Sequence, residues 1–218
     1  MKRLLVLRPQ PGADATAARA LVAGFAPIVV PLFEIRALDW DAPDPADRDA
    51  VLLTSANAVR HGGDALRRYL HLPVYAVGAA TARAAAAAGF GTIITGTDDG
   101  ESIRKQADNL RLLHLTGREH VPLTGVERRI VYSAEPIDGI TLPDADIALL
   151  HSQRAARRFA LLEPRRNMAI AALSDAIAEA AGPGWAATAI APQPDDESLL
   201  AAAARLCDQD PAKDEDQA

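Results

Sequence analysis

The chain has 218 residues, enough for one or two domains with a sizeable core, and 49% hydrophobic residues with no apolar run of membrane-span length. Its net charge of −6 is concentrated at one end: residues 208–218 hold Asp208, Asp210, Asp214, Glu215 and Asp216 against Lys213, a balance of −4 that leaves about −2 for the body. With no basic patch and 4% aromatics nucleic acid is excluded as a natural partner, and the single Cys207 excludes an internal disulfide framework and a cysteine-built zinc site.

The basic start Met1-Lys2-Arg3 is followed by only four apolar residues before Arg8. That is too short for a signal-peptide core and reads as a first strand, Leu4–Leu7. A helix follows over Asp14–Gly24 and a strand over Pro27–Pro31. Further strands are predicted at Ala50–Thr54, Val74–Val77, Thr92–Thr95, Leu112–Leu115 and Ile130–Ser133, with helices at Asn57–Tyr69, Ala80–Ala88 and Gly100–Leu110. The last third adds strands Ile147–Leu150, Ala169–Leu173 and Ala187–Ala191, with helices Gln153–Leu162, Ser174–Ala181 and Asp196–Leu206. Short continuous apolar strands alternating with helices indicate α/β architecture with parallel sheets covered on both faces. The tail 208–218 is expected to be disordered.

The chain also repeats itself. Asp49-Ala-Val-Leu-Leu-Thr-Ser-Ala-Asn-Ala-Val-Arg60 returns as Asp146-Ile-Ala-Leu-Leu-His-Ser-Gln-Arg-Ala-Ala-Arg157, an offset of 97 (152 − 55). Tyr75–Ala82 returns as Ala171–Ala178 and Glu101-Ser-Ile103 as Glu197-Ser-Leu199, both at 96, while Arg3–Arg8 resembles Arg111–Thr116. Two copies of one supersecondary plan predict two similar doubly wound, flavodoxin-like lobes with a ligand cleft between them. The second copy has three strands of its own, and the spare strands Leu4–Leu7 and Pro27–Pro31 would complete its sheet. This places 1–33 with 136–207 in lobe A and 34–135 in lobe B. Two linker strands then cross near Leu32–Trp40 and Tyr132–Asp138. A tandem split near residue 125 is the alternative.

In open α/β sheets ligands bind beyond the carboxyl ends of the strands. Four such points carry small polar residues: Thr54-Ser55-Ala56-Asn57, Gly78 with Thr81, Thr116-Gly117-Arg118, and His151-Ser152-Gln153-Arg154. Ser174 opens the counterpart of the second. Serine and asparagine there could simply cap helices; the functional alternative is that hydroxyls and backbone N–H groups face an anion. Arg118 could clamp a carboxylate, and Arg8 at the end of the first strand faces the same side. Tyr132, on the return crossing, could overhang the cleft. The five histidines show no metal-ligand helical spacing, and the pair His114 and His120 is six residues apart across a turn. No P-loop, nucleophile elbow or zinc-protease motif occurs. Of three lysines only Lys105 lies inside the folded body, so Schiff-base chemistry is disfavoured.

These points resemble uroporphyrinogen-III synthase. The matching pieces are Leu5-Val-Leu-Arg-Pro9, Val30-Pro-Leu-Phe33, Leu53-Thr-Ser-Ala-Asn-Ala-Val59, Val74-Tyr-Ala-Val-Gly-Ala-Ala-Thr-Ala82, Leu115-Thr-Gly-Arg118, Ile130-Val-Tyr132, Leu150-His-Ser152 and Ala171–Ala178, spread over residues 1–206. The resemblance implies a bilobal α/β fold with a two-stranded linker. It implies cyclisation of the linear tetrapyrrole hydroxymethylbilane to uroporphyrinogen III, with loss of water and inversion of ring D through an azafulvene and a spiro intermediate. It implies a monomer with no cofactor or metal, working in the cytoplasm, away from membranes, and supplied by transient handover from the preceding enzyme. Tyr132 matches the family's linker tyrosine and is the candidate proton donor. The octacarboxylate substrate suits loops lined with hydroxyls and arginines. One departure stands out: after Ser174 the family's hydroxyl run is replaced by Asp175-Ala-Ile177, and a carboxylate there repels an anion. A non-catalytic, degenerate binding protein for an anionic small molecule is the competing reading; a periplasmic sugar-binding hinge protein is disfavoured by the short apolar start.

Overall fold

The computed structural model describes residues 1–96, 100–120, 122–164 and 166–208. Residues 209–218 of the acidic tail lie outside them, and Asp208, grouped with that tail by composition, is the last residue of a helix.

The elements in chain order are β1 (Arg3–Val6), α1 (Gly12–Val22), β2 (Ala26–Val29), β3 (Phe33–Ala37), β4 (Ala50–Leu53), α2 (Ala56–His61), β5 (Val74–Val77), α3 (Ala79–Ala88), β6 (Ile93–Gly96) and α4 (Gly100–Gln106). They continue with β7 (Leu112–Gly117), β8 (Glu127–Pro136), β9 (Ile147–Leu150), α5 (Gln153–Leu162), β10 (Ala169–Ala172), α6 (Asp175–Ala181), β11 (Thr188–Ile190) and α7 (Asp196–Asp208). The described strands form two sheets, ordered β2-β1-β9-β10-β11 and β3-β8-β7-β4-β5-β6. Apart from the β3–β8 pair, neighbouring strands are parallel. The chain divides into two compact units: Met1–Glu34 with the chain from Pro136 onward, and Ile35–Glu135. Both boundaries fall within strands, β3 and β8.

The burial explains why these strands read as continuous apolar runs. In β4, Val51 and Leu53 enter one apolar cluster with Ala58, Tyr69 and Ala85, while Ala50 and Leu52 enter another with Ile103 and Ala107. Alternate residues of a strand point to opposite faces, so both faces of this sheet are covered. In β1, Leu4 and Val6 pack against α1 and α7 through Ala13, Ala20, Leu199 and Ala203. Leu5 and Leu7, on the other face, are also fully buried. The sequence of α3, Ala-Ala-Thr-Ala-Arg followed by five alanines, combines high helix propensity with small side chains.

The internal repeat extends to the hydrogen bonds. The backbone N–H of Arg111 donates to Asp49 Oδ2 at 2.8 Å, and that of Arg3 donates to Asp146 Oδ2 at 2.6 Å. In return the amides of Asp49 and Asp146 donate to the carbonyls of Arg111 and Arg3, each at 3.0 Å. Pairing β7, β8, β4, β5 and β6 with β1, β2, β9, β10 and β11 gives both sheets one order, 2-1-3-4-5, with β3 added at an edge of the second. That order reverses direction beside the first strand, between β1 and β9 in one unit and between β7 and β4 in the other. The carboxyl ends at this reversal are where such sheets receive ligands.

Several boundaries differ from the sequence reading. The helix expected over Asn57–Tyr69 is two pieces, α2 and a 3₁₀ turn over Asp64–Tyr69. Gly62 and Gly63 divide them: Gly63 sits at φ 64°, outside helical space. The helix expected to reach Leu110 stops at Gln106, and Asn109 turns the chain at φ 72°. The strand expected over Ile130–Ser133 runs from Glu127 to Pro136. Ala26–Val29 replaces Pro27–Pro31, and β11 covers only Thr188–Ile190 of Ala187–Ala191.

Candidate functional site

The richest set of polar groups in the second unit lies at the carboxyl ends of β4 and β7. Strand β8 carries a bulge opposite β7: Thr116 pairs with Ile130, but Gly117 pairs with Tyr132, so Val131 is the extra residue on β8. A bulge re-aims the side chains beside it, and here it turns the Tyr132 ring over Gly117. A Cβ at position 117 would lie 2.6 Å from Tyr132 Cε2 and Cζ and 2.9 Å from its hydroxyl. Glycine at 117 is therefore the niche of the tyrosine ring rather than only a turn residue. The Arg118 amide donates to the Tyr132 carbonyl at 2.9 Å and closes the bulge.

Ser55 connects this tyrosine to α2. Its Oγ accepts the Asn57 amide at 3.2 Å, which caps the helix, and its hydroxyl is near enough to the Tyr132 phenol to oppose the effect of burial on it. Burial pushes the Tyr132 phenol up, only partly offset by Ser55, so the group stays protonated. The His61 ring lies 6.2 Å away, centroid to centroid.

Beside it, Thr54 Oγ1 lies 3.1 Å from His114 Nε2. His114 is 1% exposed, and its Nδ1 is buried without a partner among the described residues. Burial is the main cause that lowers its pKa to about 4, with His120 and Arg128 adding to it, so the ring is neutral. We assign the proton to Nε2, because a proton on Nδ1 would be a buried donor with no acceptor. His114 then donates to Thr54, and the threonine hydroxyl is left to donate elsewhere. His120 meets His114 edge-on at 6.5 Å and places Nδ1 at 2.9 Å from the Gly117 carbonyl and 3.1 Å from that of Arg118.

The other expected residues of this unit fall around the group. Thr116 is 2% exposed at the end of β7, and Thr81 lies on the buried side of α3. Gly78 ends β5 at φ 76° and leads into α3. Asn57 Oδ1 accepts from Arg60. Arg118 pairs with Glu135 at 3.3 Å with both side chains partly in solvent, a contact that contributes little and exchanges readily.

In the first unit the same sheet position is arranged differently. Arg8 does not present its guanidinium as an open clamp. It turns inward, with NH1 donating to Thr16 Oγ1 at 3.3 Å and Asp196 Oδ1 at 3.0 Å. His151 Nε2 also reaches Asp196 Oδ1, at 3.1 Å. Burial holds His151 below its ordinary pKa although the Asp196 carboxylate opposes this. Ser152 caps α5 by accepting the Ala155 amide at 3.2 Å. Arg154 places its charge over the Phe33 ring, 4.4 Å from the centroid. Ser174 begins α6 without a side-chain cap bond, and Asp175 occupies the first turn. A cavity of about 450 Å³ opens at the opposite, amino ends of these strands, among Lys2, Asp146, Asn167 and Cys207. None of the expected site residues line it, and Lys2 and Asp146 there pair at 3.9 Å.

Sequence reasoning considered His114 only beside His120 as a metal pair and did not single out Thr16 or Asp196. His114 occupies an inward position of an apolar strand, which pattern alone assigns to the core. Asp196 opens the predicted helix Asp196–Leu206, where an acid suits the helix dipole. No helix among the described residues is long and apolar enough to cross a membrane.

Known proteins resemble this chain at two levels. A family model described as uroporphyrinogen-III synthase HemD matches residues 14–201. A search of curated proteins finds no match. Among solved structures, a mutant selenomethionine form of uroporphyrinogen III synthase from the extremely thermophilic bacterium Thermus thermophilus is 18% identical with a TM-score of 0.56, covering 96% of this chain and 100% of that one. At that identity the likeness shows the shared α/β fold. The wild-type native crystal of the same protein gives 18% identity and a TM-score of 0.45 over 96% and 99% of the two chains. A further structure of Thermus thermophilus uroporphyrinogen III synthase gives 18% and 0.43 over 95% and 100%.

Proposed function

The chain belongs to the uroporphyrinogen-III synthase family, and from that premise we propose which of its groups carry the reaction. The enzyme is a lyase of tetrapyrrole biosynthesis that closes hydroxymethylbilane to uroporphyrinogen III, with loss of water and inversion of ring D. The proton donor to the departing hydroxyl is Tyr132. The observation that carries this assignment is the seating of the Tyr132 ring and hydroxyl over Gly117, where burial keeps the phenol protonated and able to give its proton.

The remaining groups hold the substrate. Thr54, set as a donor by His114, together with Ser55, Asn57, Gly78, Thr81, Thr116, Gly117 and Arg118, forms the carboxylate-receiving end of the second sheet. Ser152, Arg154 and Ser174 are the corresponding groups of the first. Such a substrate ionises readily and closes unaided to the type I isomer, so the protein's task is to hold the chain folded for one closure. A 100-fold preference corresponds to about 2.7 kcal/mol, within reach of a few charge-assisted hydrogen bonds. Strands β3 and β8, which contain the unit boundaries, serve as the two-stranded linker. The protein acts as a monomer in the cytoplasm and receives hydroxymethylbilane by transient handover.

Product analysis tests the reading. Incubated with hydroxymethylbilane, the protein is expected to yield the type III isomer well above the unassisted background. Type I product alone would overturn the activity. Saturable binding with no turnover would point to a degenerate binding protein instead. If Tyr132→Phe matched the wild-type rate, the proton-donor role would fall while the activity stood.

A further inference from the structure

Asp196 opens α7 in the first unit, and its side chain is only 12% exposed. Four groups, two from α1 and one each from the chain just beyond β1 and β9, converge on its two oxygens. Oδ1 receives Arg8 NH1 at 3.0 Å and His151 Nε2 at 3.1 Å; Oδ2 receives the Thr16 hydroxyl and Arg19 NH1, both at 2.6 Å. Thr16 is fully buried and the His151 side chain is 8% exposed. Gly12 makes room for the arginine, because a Cβ there would lie 2.7 Å from Arg8 Nε. Burial alone would raise the Asp196 pKa, but the hydrogen bonds from His151 and Thr16 and the Arg8 charge hold it far below the usual carboxylate range.

This arrangement has the composition of a carboxylate-recognition site: one arginine in a fixed pose, one hydroxyl, one imidazole N–H and a second, more exposed arginine. It also lies at the ends of β1 and β9, where the strand order of this sheet reverses and ligands of such sheets bind. The repeat gives the contrast. Arg8 corresponds to Thr116 (8 + 108), His151 to Thr54 (54 + 97) and Asp196 to Gly100 (100 + 96). In the second unit the equivalent residues are thus two threonines and a glycine, with no ion pair among them.

We propose that Arg8, Thr16, Arg19 and His151 form a carboxylate site in the first unit, and that the chain fills it with its own Asp196 in place of a ligand carboxylate. Arg8 and His151 are therefore withheld from outside anions. In an enzyme whose substrate carries many carboxylates, this removes one strongly cationic alternative grip. The inference does not depend on the tetrapyrrole reading, since its test uses acetate alone.

The test is chemical rescue of Asp196→Gly, which places at 196 the residue found at 100. The variant is expected to unfold at lower urea than wild type. Acetate is expected to restore its midpoint with a dissociation constant in about the millimolar range, while sodium chloride at equal ionic strength does not. Wild type should show no acetate-specific shift, and Arg8→Gln added to Asp196→Gly should remove the response. If the variant does not fold in plain buffer, refolding yield from urea with and without acetate becomes the measurement. Equal midpoints or yields with acetate and chloride, or an acetate response that survives Arg8→Gln, would overturn the proposal and leave Asp196 a structural clamp only.

Discussion

Gly117→Ala tests the coupling between the bulge and the proposed proton donor. The added methyl would stand 2.6 Å from two ring carbons of Tyr132, against about 3.5–4.0 Å for ordinary carbon contacts. The ring must retreat by roughly 1 Å, and Gly117 shows no positive φ that would by itself disfavour alanine. Overpacking of this kind costs about 1–3 kcal/mol of stability. The retreat also carries the phenol off line, weakening a hydrogen bond to the departing hydroxyl that is worth up to about 1.5 kcal/mol. A loss of 1.36 kcal/mol in the transition state is about tenfold in rate, so turnover of hydroxymethylbilane should fall to about a tenth. The assay is the rate of type III formation, with urea unfolding alongside. In a Tyr132→Phe background the same substitution should lower the rate little further, because the group it displaces is already gone. Tyr132→Ala should instead relieve most of the stability penalty. Wild-type rate and stability in Gly117→Ala, or rate losses that multiply in the double variant, would refute the reasoning.

Tyr132→Phe alone removes one donor and is expected to slow turnover by about 2- to 12-fold without changing the unfolding midpoint by more than about 1 kcal/mol; a loss above 10³-fold would mean an essential acid rather than an assisting one. His114→Val introduces the residue found at the matching strand position, Val6, and should leave the fold intact while disordering the Thr54 donor, seen as a raised KM. It should also flatten the pH dependence of stability. The His114 pKa is lowered from 6.5 to about 4 on folding, so between those values the unfolded chain binds more protons and wild-type stability falls as the pH drops. His61 and His151 are lowered too and add to the same slope; an unchanged slope in His114→Val would contradict the assignment. Arg118→Ala should raise KM by about 3- to 10-fold, the share of a solvent-exposed charged hydrogen bond, and increase the type I fraction; an unchanged KM would remove Arg118 from substrate binding.

The parts of this molecule that follow from local rules were legible before the structure. Apolar runs such as Ala-Val-Leu-Leu at β4 and Ile-Ala-Leu-Leu at β9 announce strands buried on both faces, and glycine-bounded alanine runs announce α3. The strand order was reachable because the second copy lacked two strands that β1 and β2 could supply. What escaped depends on distance in the chain. Arg8 and Asp196 are 188 residues apart, so no spacing rule connects them, and Arg8 reads from the sequence as a ligand-facing arginine. Gly117 read as a turn because its partner ring comes from β8, displaced by a one-residue bulge that pattern does not encode. His114 was hidden by its place in a strand whose other inward residues are leucines. The Gly62–Gly63 break was visible as two glycines, but the propensity of the flanking residues outweighed them.

The comparison of the two sheet reversals gives the clearest physical reason for assigning unequal roles to similar units. Both inherit the same β-strand order and the same aspartate–arginine staple at their amino ends, through Asp49 with Arg111 and Asp146 with Arg3. At the carboxyl ends the chemistry has parted. One reversal pairs Arg8, Arg19 and His151 with an internal carboxylate that is itself mostly buried, an arrangement whose charge is already satisfied. An outside anion gains nothing there without first displacing Asp196, which would leave that mostly buried carboxylate without its partners. The other reversal carries hydroxyls and the neutral His114, and an exposed arginine whose surface pair exchanges easily. A carboxylate approaching the second unit therefore meets donors ready to be redirected, whereas at the first it meets a site that already holds its kind.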